Sequence, residues 1–232
     1  LLSSRQIFRM KTRPLLTAAL TAVLLLTAPL NTIASGRTDS PDFRFRGYTG
    51  GMMLHSGYIQ SRPFELYSTA SQSLGTMQIR GAAFGIGGHV KFAFGTPTDM
   101  LRIGTEGHSS NVRYAPSPSY AHTGWGGILV DYIRRTEGRV HPFIGCLIGG
   151  GGVKNHIIAQ GGTGDFVIEP QAAMHKYAFM AIAPFLGMEV ALTPKLSLVL
   201  KADWLLNATG CQNDFTNGPR LYVGMLFNRL QR

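Results

Sequence analysis

Residues 196–206 have the sequence LSLVLKADWLL. Its side chains alternate in character, because Leu198 and Leu200 fall on one side of an extended chain and Lys201 and Asp203 on the other. Successive side chains of a β-strand point to opposite faces of the sheet. The stretch therefore predicts a strand with one apolar face and one charged face.

The same two-residue alternation recurs along the chain and predicts eight strands. In the sixth of them, for example, Met180 and Ile182 alternate with Ala181 and Ala183. In the second, Met77 and Ile79 fall out of step with the rest, for which a bulge is expected. The predicted strands are Phe45–Tyr58, Thr76–Phe94, Met100–Ser109, Gly124–Arg135, Arg139–Ile157, Met174–Leu192, Leu196–Leu206 and Pro219–Phe227.

The connections between these strands alternate in length. Short turns are predicted at 95–99, 136–138 and 193–195, and long connections at 59–75, 110–123, 157–172 and 207–218. Tight turns at one end and longer loops at the other are typical of an up-and-down barrel that spans a membrane. The prediction is an all-β fold, an eight-stranded antiparallel up-and-down transmembrane β-barrel.

The distribution of charge indicates which face of each strand meets lipid and which faces the lumen. The apolar faces lack charge over their middle residues, so we expect them to face lipid. An eight-stranded barrel is just wide enough for side chains to fill its interior, and charges that share that space should pair. Glu189 and Lys201 flank one short turn and are expected to pair across it. The predicted lumen charge network comprises Lys91, Arg102, Glu106, Asp131, Glu189, Lys201 and Asp203. A water-soluble barrel with an apolar interior is the alternative, but its outer wall would then hold too little charge.

Composition narrows the class of function. Only 15% of residues are charged, against about 25% in a typical soluble domain. The net charge is +10, but the basic residues are scattered and form no stripe, so no nucleic acid partner is expected. The two cysteines, Cys146 and Cys211, are expected to stay unbridged.

The N-terminal segment predicts export. Residues 1–9 are interpreted as an upstream, non-native extension, and residues 10–34 as a signal peptide with a basic start and the apolar run LLTAALTAVLLL. Cleavage is expected after Ala34, which leaves residues 35–232 as the barrel domain. Export of a chain that crosses a membrane as strands predicts the bacterial outer membrane.

The chain resembles the small eight-stranded outer-membrane β-barrels of the OmpA/OmpX-like group within the porin superfamily. The resemblance depends on the fifth predicted strand, with Pro142-Phe143-Ile144-Gly145, on the aromatic-glycine rhythm Phe84-Gly85-Ile86-Gly87, and on the last strand, which closes on Phe227. Membership in that group implies membrane insertion and does not fix one activity.

No catalytic, metal or cofactor site is predicted. The histidines lack the spacing of a metal site. His55 and His108 each precede a serine directly, so each His–Ser pair would point to opposite faces. We therefore expect a monomer with a structural or surface-interaction role. Its expected partners are outer-membrane lipid, including lipopolysaccharide, and a surface ligand bound through the long loops. The alternatives are a narrow pore for small solutes and a lipid A-modifying enzyme.

Overall fold

A computed structural model describes residues 44–67, 73–114, 119–159, 171–210 and 212–230, which all lie in one compact unit, Asp42–Arg232. The predicted extension, signal peptide and Cys211 lie outside the described residues. Within the described ranges, no helix is long and apolar enough to span a membrane.

The described residues are almost entirely extended. Each predicted strand is present, and most run a few residues further than the alternation of side chains indicated. The strands are β1 (Arg44–Gln60), β2 (Phe64–Tyr67), β3 (Ser73–Met77), β4 (Arg80–Gly95), β5 (Asp99–Arg113), β6 (Tyr120–Arg134), β7 (Val140–Ala159), β8 (Gln171–Thr193), β9 (Leu196–Trp204), β10 (Leu206–Asn207) and β11 (Pro219–Leu230).

Eight of these strands close into a ring. The order is β1, β4, β5, β6, β7, β8, β9, β11 and back to β1, and every neighbouring pair is antiparallel. The closing pair joins the first strand to the last, with Met52 opposite Met225. This confirms the predicted eight-stranded up-and-down barrel. Closure leaves no unpaired edge, which a strand surrounded by lipid requires.

Three details differ from the prediction. The first long connection carries its own hairpin, β2 with β3. The connection expected at 110–123 shrinks to 114–119, because the strands continue with Val112 and Ala121 packed together inside. The bulge expected near Met77 and Ile79 is absent. The alternation changes there because the strand is interrupted at residues 78–79, where the Ile79 amide donates a hydrogen bond to Ser61 Oγ (2.9 Å).

The two faces of the wall have the predicted orientation. Leu221 and Phe227 on β11 are 67% and 68% exposed, whereas Tyr222 and Leu226 on the same strand are buried. On β8 and β9, Met180 and Leu200 likewise face outward. The wall therefore carries its large apolar side chains on the outside, which is the reverse of a water-soluble barrel.

Candidate functional site in the lumen and at its mouth

A buried ion-pair cluster crosses the lumen near the short-turn end. Asp131 on β6 receives hydrogen bonds from Lys91 Nζ on β4 (2.7 Å) and from Arg102 Nε (2.6 Å) and Nη2 (3.0 Å) on β5. Arg102 Nη1 also donates to Glu189 Oε1 on β8 (2.5 Å). All four side chains are buried. The bidentate contact between Arg102 and Asp131 is the strongest geometry available to such a pair, and the cluster ties four strands together.

A second cluster forms around Glu106 on β5. Its carboxylate pairs with Lys201 Nζ on β9, and it lies 2.8 Å from His108 Nε2 and 3.6 Å from His89 Nδ1. The four side chains are buried. Glu106 therefore gathers one lysine and two imidazoles at mid-height in the lumen.

The expected pairing of Glu189 with Lys201 is wrong. The register places Glu189 opposite Val199 and Lys201 opposite Gly187, so the two side chains are only diagonal neighbours. Each instead reaches across the lumen, Glu189 to Arg102 and Lys201 to Glu106. In a narrow barrel, a long side chain finds partners on opposite strands as readily as on adjacent ones.

Asp203, the remaining predicted member of the network, is bound differently. It is buried, and its Oδ2 accepts a hydrogen bond from the Tyr222 hydroxyl (2.6 Å). Arg220 lies directly across from it on β11. Among the described residues, no ion pair joins Asp203 to a basic side chain at ion-pair distance.

Two buried cations were missed from the sequence. Arg46 and Arg220 are 2% and 0% exposed. Arg46 Nε donates to the Gly95 carbonyl oxygen (2.8 Å), while the guanidinium of Arg220 lies over the Trp125 ring, 4.9 Å from its centroid. The alternation of side chains could have revealed Arg220, because Arg220 lies on the same face of its strand as Tyr222 and opposite to the apolar face. With these two, five Lys and Arg side chains and five carboxylate side chains are buried among the described residues, Asp214 included.

The interior also contains a layer of aromatic and imidazole rings. The His55 ring lies 4.8 Å from that of Tyr222 and 5.7 Å from that of Trp125, and the His108 ring lies 5.5 Å from that of Trp125. These rings fill the lumen between the Glu106 carboxylate and the long connections. Lys201 Nζ lies 4.7 Å from the Tyr222 centroid, which adds a cation–π contact.

At the mouth nearest the long connections, the segment between β10 and β11 folds inward. Asp214 Oδ2 accepts a hydrogen bond from Asn155 Nδ2 (2.7 Å) and lies 2.7 Å from His175 Nδ1. The next residue, Phe215, is buried against Phe179 at 5.0 Å between ring centroids. Burial raises the pKa of the Tyr114 hydroxyl at this mouth, and the Asp214 carboxylate raises it further. These contacts of Asp214 therefore hold the loop across the opening.

The described residues offer few elements of a catalytic or metal site. Within them, no three His, Cys, Asp or Glu side chains are placed to share a metal ion. Glu106, His108 and Ser110 do share the inward face of β5, but Ser110 Oγ and His108 Nδ1 have no hydrogen-bond partner there. All three are buried in the lumen, away from lipid on the outer wall.

These features define the class of protein. A closed antiparallel barrel of eight strands, apolar outside and ion-paired inside, with short turns at one rim and longer loops at the other, is an outer-membrane-type transmembrane β-barrel. The chain has that fold.

Comparisons with known proteins return solved structures only. No protein-family model matches the chain, and no curated protein matches it. The Neisserial surface protein A structure is 15% identical, covers 78% of this chain and 95% of its own, and has a TM-score of 0.49. The N-terminal β-barrel domain of OprF from Pseudomonas aeruginosa is 10% identical (79% and 98% covered, TM-score 0.42). Ail, the attachment invasion locus protein of Yersinia pestis, is 13% identical (78% and 98% covered, TM-score 0.41).

Proposed function

We propose that the protein is a plugged outer-membrane barrel with a structural or surface-interaction role. The observation that carries this proposal is the continuous contact from Lys91 through Asp131 and Arg102 to Glu189, which runs from β4 to β8 across the lumen. An eight-stranded barrel leaves little space beyond its side chains. Buried charges that are this well paired are also costly to separate, because each would be left unpaired away from water.

Further layers between this cluster and the long connections support the same role. Toward the long connections, the lumen holds the aromatic layer and then the inward segment with Asp214 and Phe215. Near the same mouth, Ile59, Ile79 and Val112 form a buried apolar cluster. An ion moving along the axis would have to cross ion-paired, aromatic and apolar layers in turn.

Planar-bilayer recording tests the proposal. The mature barrel, refolded and verified by the different gel mobility of unheated and boiled samples, should insert without steady conductance steps. The double variant D214A/F215A, which releases the mouth but leaves the ion-paired cluster intact, should also stay silent. Steady single-channel steps from the unaltered protein would overturn the plug and favour a narrow pore.

A role without catalysis is part of this proposal. The acid, histidine and serine that share one face of β5 point into the closed lumen, where an outer-leaflet lipid does not reach them. Mass spectrometry of lipid A from cells with and without the protein should give the same profile. A change that disappears in a His108→Gln variant would favour the lipid A-modifying alternative.

The proposed surface role belongs to the rim with the long connections, since loops on a rigid scaffold commonly carry recognition. We propose that the barrel acts as a monomer, because closure of the ring gives each of its eight strands a neighbour on both sides. Light scattering in detergent should give the mass of one chain plus its micelle. A dimer mass would contradict this part of the proposal.

A further inference from the structure

Three basic side chains form a row on the outside of the wall. His122 on β6 is directly opposite Lys154 on β7, and Lys154 is directly opposite Lys176 on β8. All three side chains lie on the outward face of their strands; Lys176 is exposed and the other two are half-buried. His122 is further held by a 2.7 Å contact between its Nδ1 and Asn111 Oδ1.

No counter-charge for this row lies among the described residues. Like charges directly opposite each other on a sheet are destabilising. Among the described residues, neither Lys154 nor Lys176 has a carboxylate within ion-pair distance, and Lys154 Nζ has only the Tyr120 ring, 6.0 Å from its centroid. The charge of the row is therefore complementary to that of a bound anion.

The height of the row places it at a headgroup boundary. On β7, the outward side chains from Gly152 back to Pro142 are uncharged, and on β8 the same holds from Ala178 to Met188. Each run is 11 residues long by its residue numbers, and about 9–11 residues of a tilted strand cross a bilayer. Lys154 and Lys176 lie just beyond this belt, toward the rim with the long connections.

Below the row lies a shelf of outward glycines on adjacent strands. They are Gly107, Gly124, Gly150 and Gly152. A Cβ built on any of these four would have its nearest neighbouring atom at 3.7–3.9 Å, which is ordinary van der Waals contact. Gly126, which lies between Gly107 and Gly150, differs, because its Cβ would be 2.9 Å from the Glu106 carbonyl oxygen. Barrel packing therefore does not require glycine at the four positions of the shelf, although glycine weakens a strand. A missing side chain leaves room for another molecule to lie against the backbone.

The row and the shelf form one surface. A groove of about 500 Å³ is lined by His122, Lys154 and Lys176 together with Gly124 and Gly152. Cations at the headgroup level and a smooth apolar surface beneath them match the two parts of a phosphorylated lipid. We infer that this face binds a phosphate-bearing lipid of the outer leaflet, with its phosphate on the basic row and an acyl chain along the glycine shelf.

Native mass spectrometry of the refolded barrel in neutral detergent tests this inference. The probe is bisphosphorylated lipid A, titrated in parallel with its dephosphorylated form and with inorganic phosphate. We expect saturable binding of the phosphorylated lipid, weakened on the order of tenfold by each of K154Q and K176Q, because each removes a charge-assisted contact to phosphate. The dephosphorylated lipid and free phosphate should bind weakly, since each offers only one of the two parts.

Lys195→Gln is the matched control, because Lys195 is exposed in the opposite, short-turn rim. It should leave binding unchanged. Gly150→Leu and Gly152→Leu should weaken lipid binding while the folded fraction stays the same, since both positions have room for a side chain. Equal affinity for both lipid forms, or equal loss in K154Q and K195Q, would overturn the inference.

A stability measurement separates lipid binding from a structural role of the lysines. In phosphatidylcholine vesicles, K176Q should raise the urea midpoint, because it relieves repulsion from Lys154. In vesicles that also contain lipid A, it should lower the midpoint relative to the unaltered protein. The same sign in both vesicles would contradict the site. The result does not depend on whether the lumen conducts, so it is distinguishable from failure of the proposed plug.

Discussion

Arg102 holds two carboxylates at once, Asp131 at 2.6 Å and Glu189 at 2.5 Å, from strands that lie on either side of β7. Replacing Arg102 with Met would leave both acids buried without their main partner. We expect a loss of about 3–5 kcal/mol in the free energy of unfolding. Urea titration in detergent, followed by tryptophan fluorescence, measures it. Lys195→Met in the exposed turn is the control, and equal midpoints for the two variants would contradict the role given to Arg102.

The hydroxyl of Tyr222 donates to Asp203 inside the lumen at 2.6 Å. Tyr222→Phe removes that donor and leaves the carboxylate buried with fewer partners, so the barrel should lose about 1–3 kcal/mol of stability. Tyr48→Phe provides a matched control, because Tyr48 is exposed on the outer wall and its hydroxyl meets only Arg229 at 3.4 Å. If both variants unfold at the same urea concentration, the hydrogen bond contributes nothing.

Two adjacent glycines on β7 should differ in how well they tolerate alanine. A Cβ on Gly149 would overlap the carbonyl oxygen of Gly126, whereas a Cβ on Gly150 would meet nothing closer than 3.7 Å. Gly149→Ala should therefore reduce the fraction that folds, and Gly150→Ala should not. Heat-modifiable gel mobility after refolding gives both fractions. Similar yields for the two variants would contradict the assignment of Gly149 to the inward face and Gly150 to the outward face.

Asp214 should control access to the loop that covers the mouth. Asp214→Ala removes the contacts with Asn155 and His175, so the buried Phe215 should become open to chymotrypsin. Asn213→Ala changes the exposed neighbouring residue and should leave cleavage slow. Mass spectrometry of the fragments locates the cut. Rapid cleavage at Phe215 in the unaltered protein would show that Asp214 does not hold the loop across the opening.

Cys146 is a free thiol on the outward face of β7, between Ile144 and Ile148 in the apolar belt. In a Cys211→Ser background in vesicles, an apolar maleimide should label it, and a charged, membrane-impermeant maleimide should not. Labelling is read by the mass of the intact chain. Reaction with the charged reagent alone would place Cys146 in water and contradict the lipid-facing wall.

The strands and their two faces were predictable from short stretches. Strict alternation in residues 196–206 is a local property, and each strand repeats it without reference to its neighbours. The prediction weakened where polar residues stand on the outward face, as at Asn111 and His122, because they lie beyond the apolar belt and resemble a loop. Trp125 and Tyr222 lie in the lumen, although aromatic side chains are also common at membrane interfaces. Aromatic side chains suit either face of a strand, so residue type alone did not separate them.

The alternation of side chains within each strand is a local property, so the order of residues is enough to predict a barrel that is apolar outside and charged inside. Which charges meet inside the barrel depends on the folded chain. Lys201 and Glu106 are 95 residues apart, and Arg102 and Glu189 are 87 apart. Their pairing follows from the register around the ring and from the width of the lumen, which no single strand specifies.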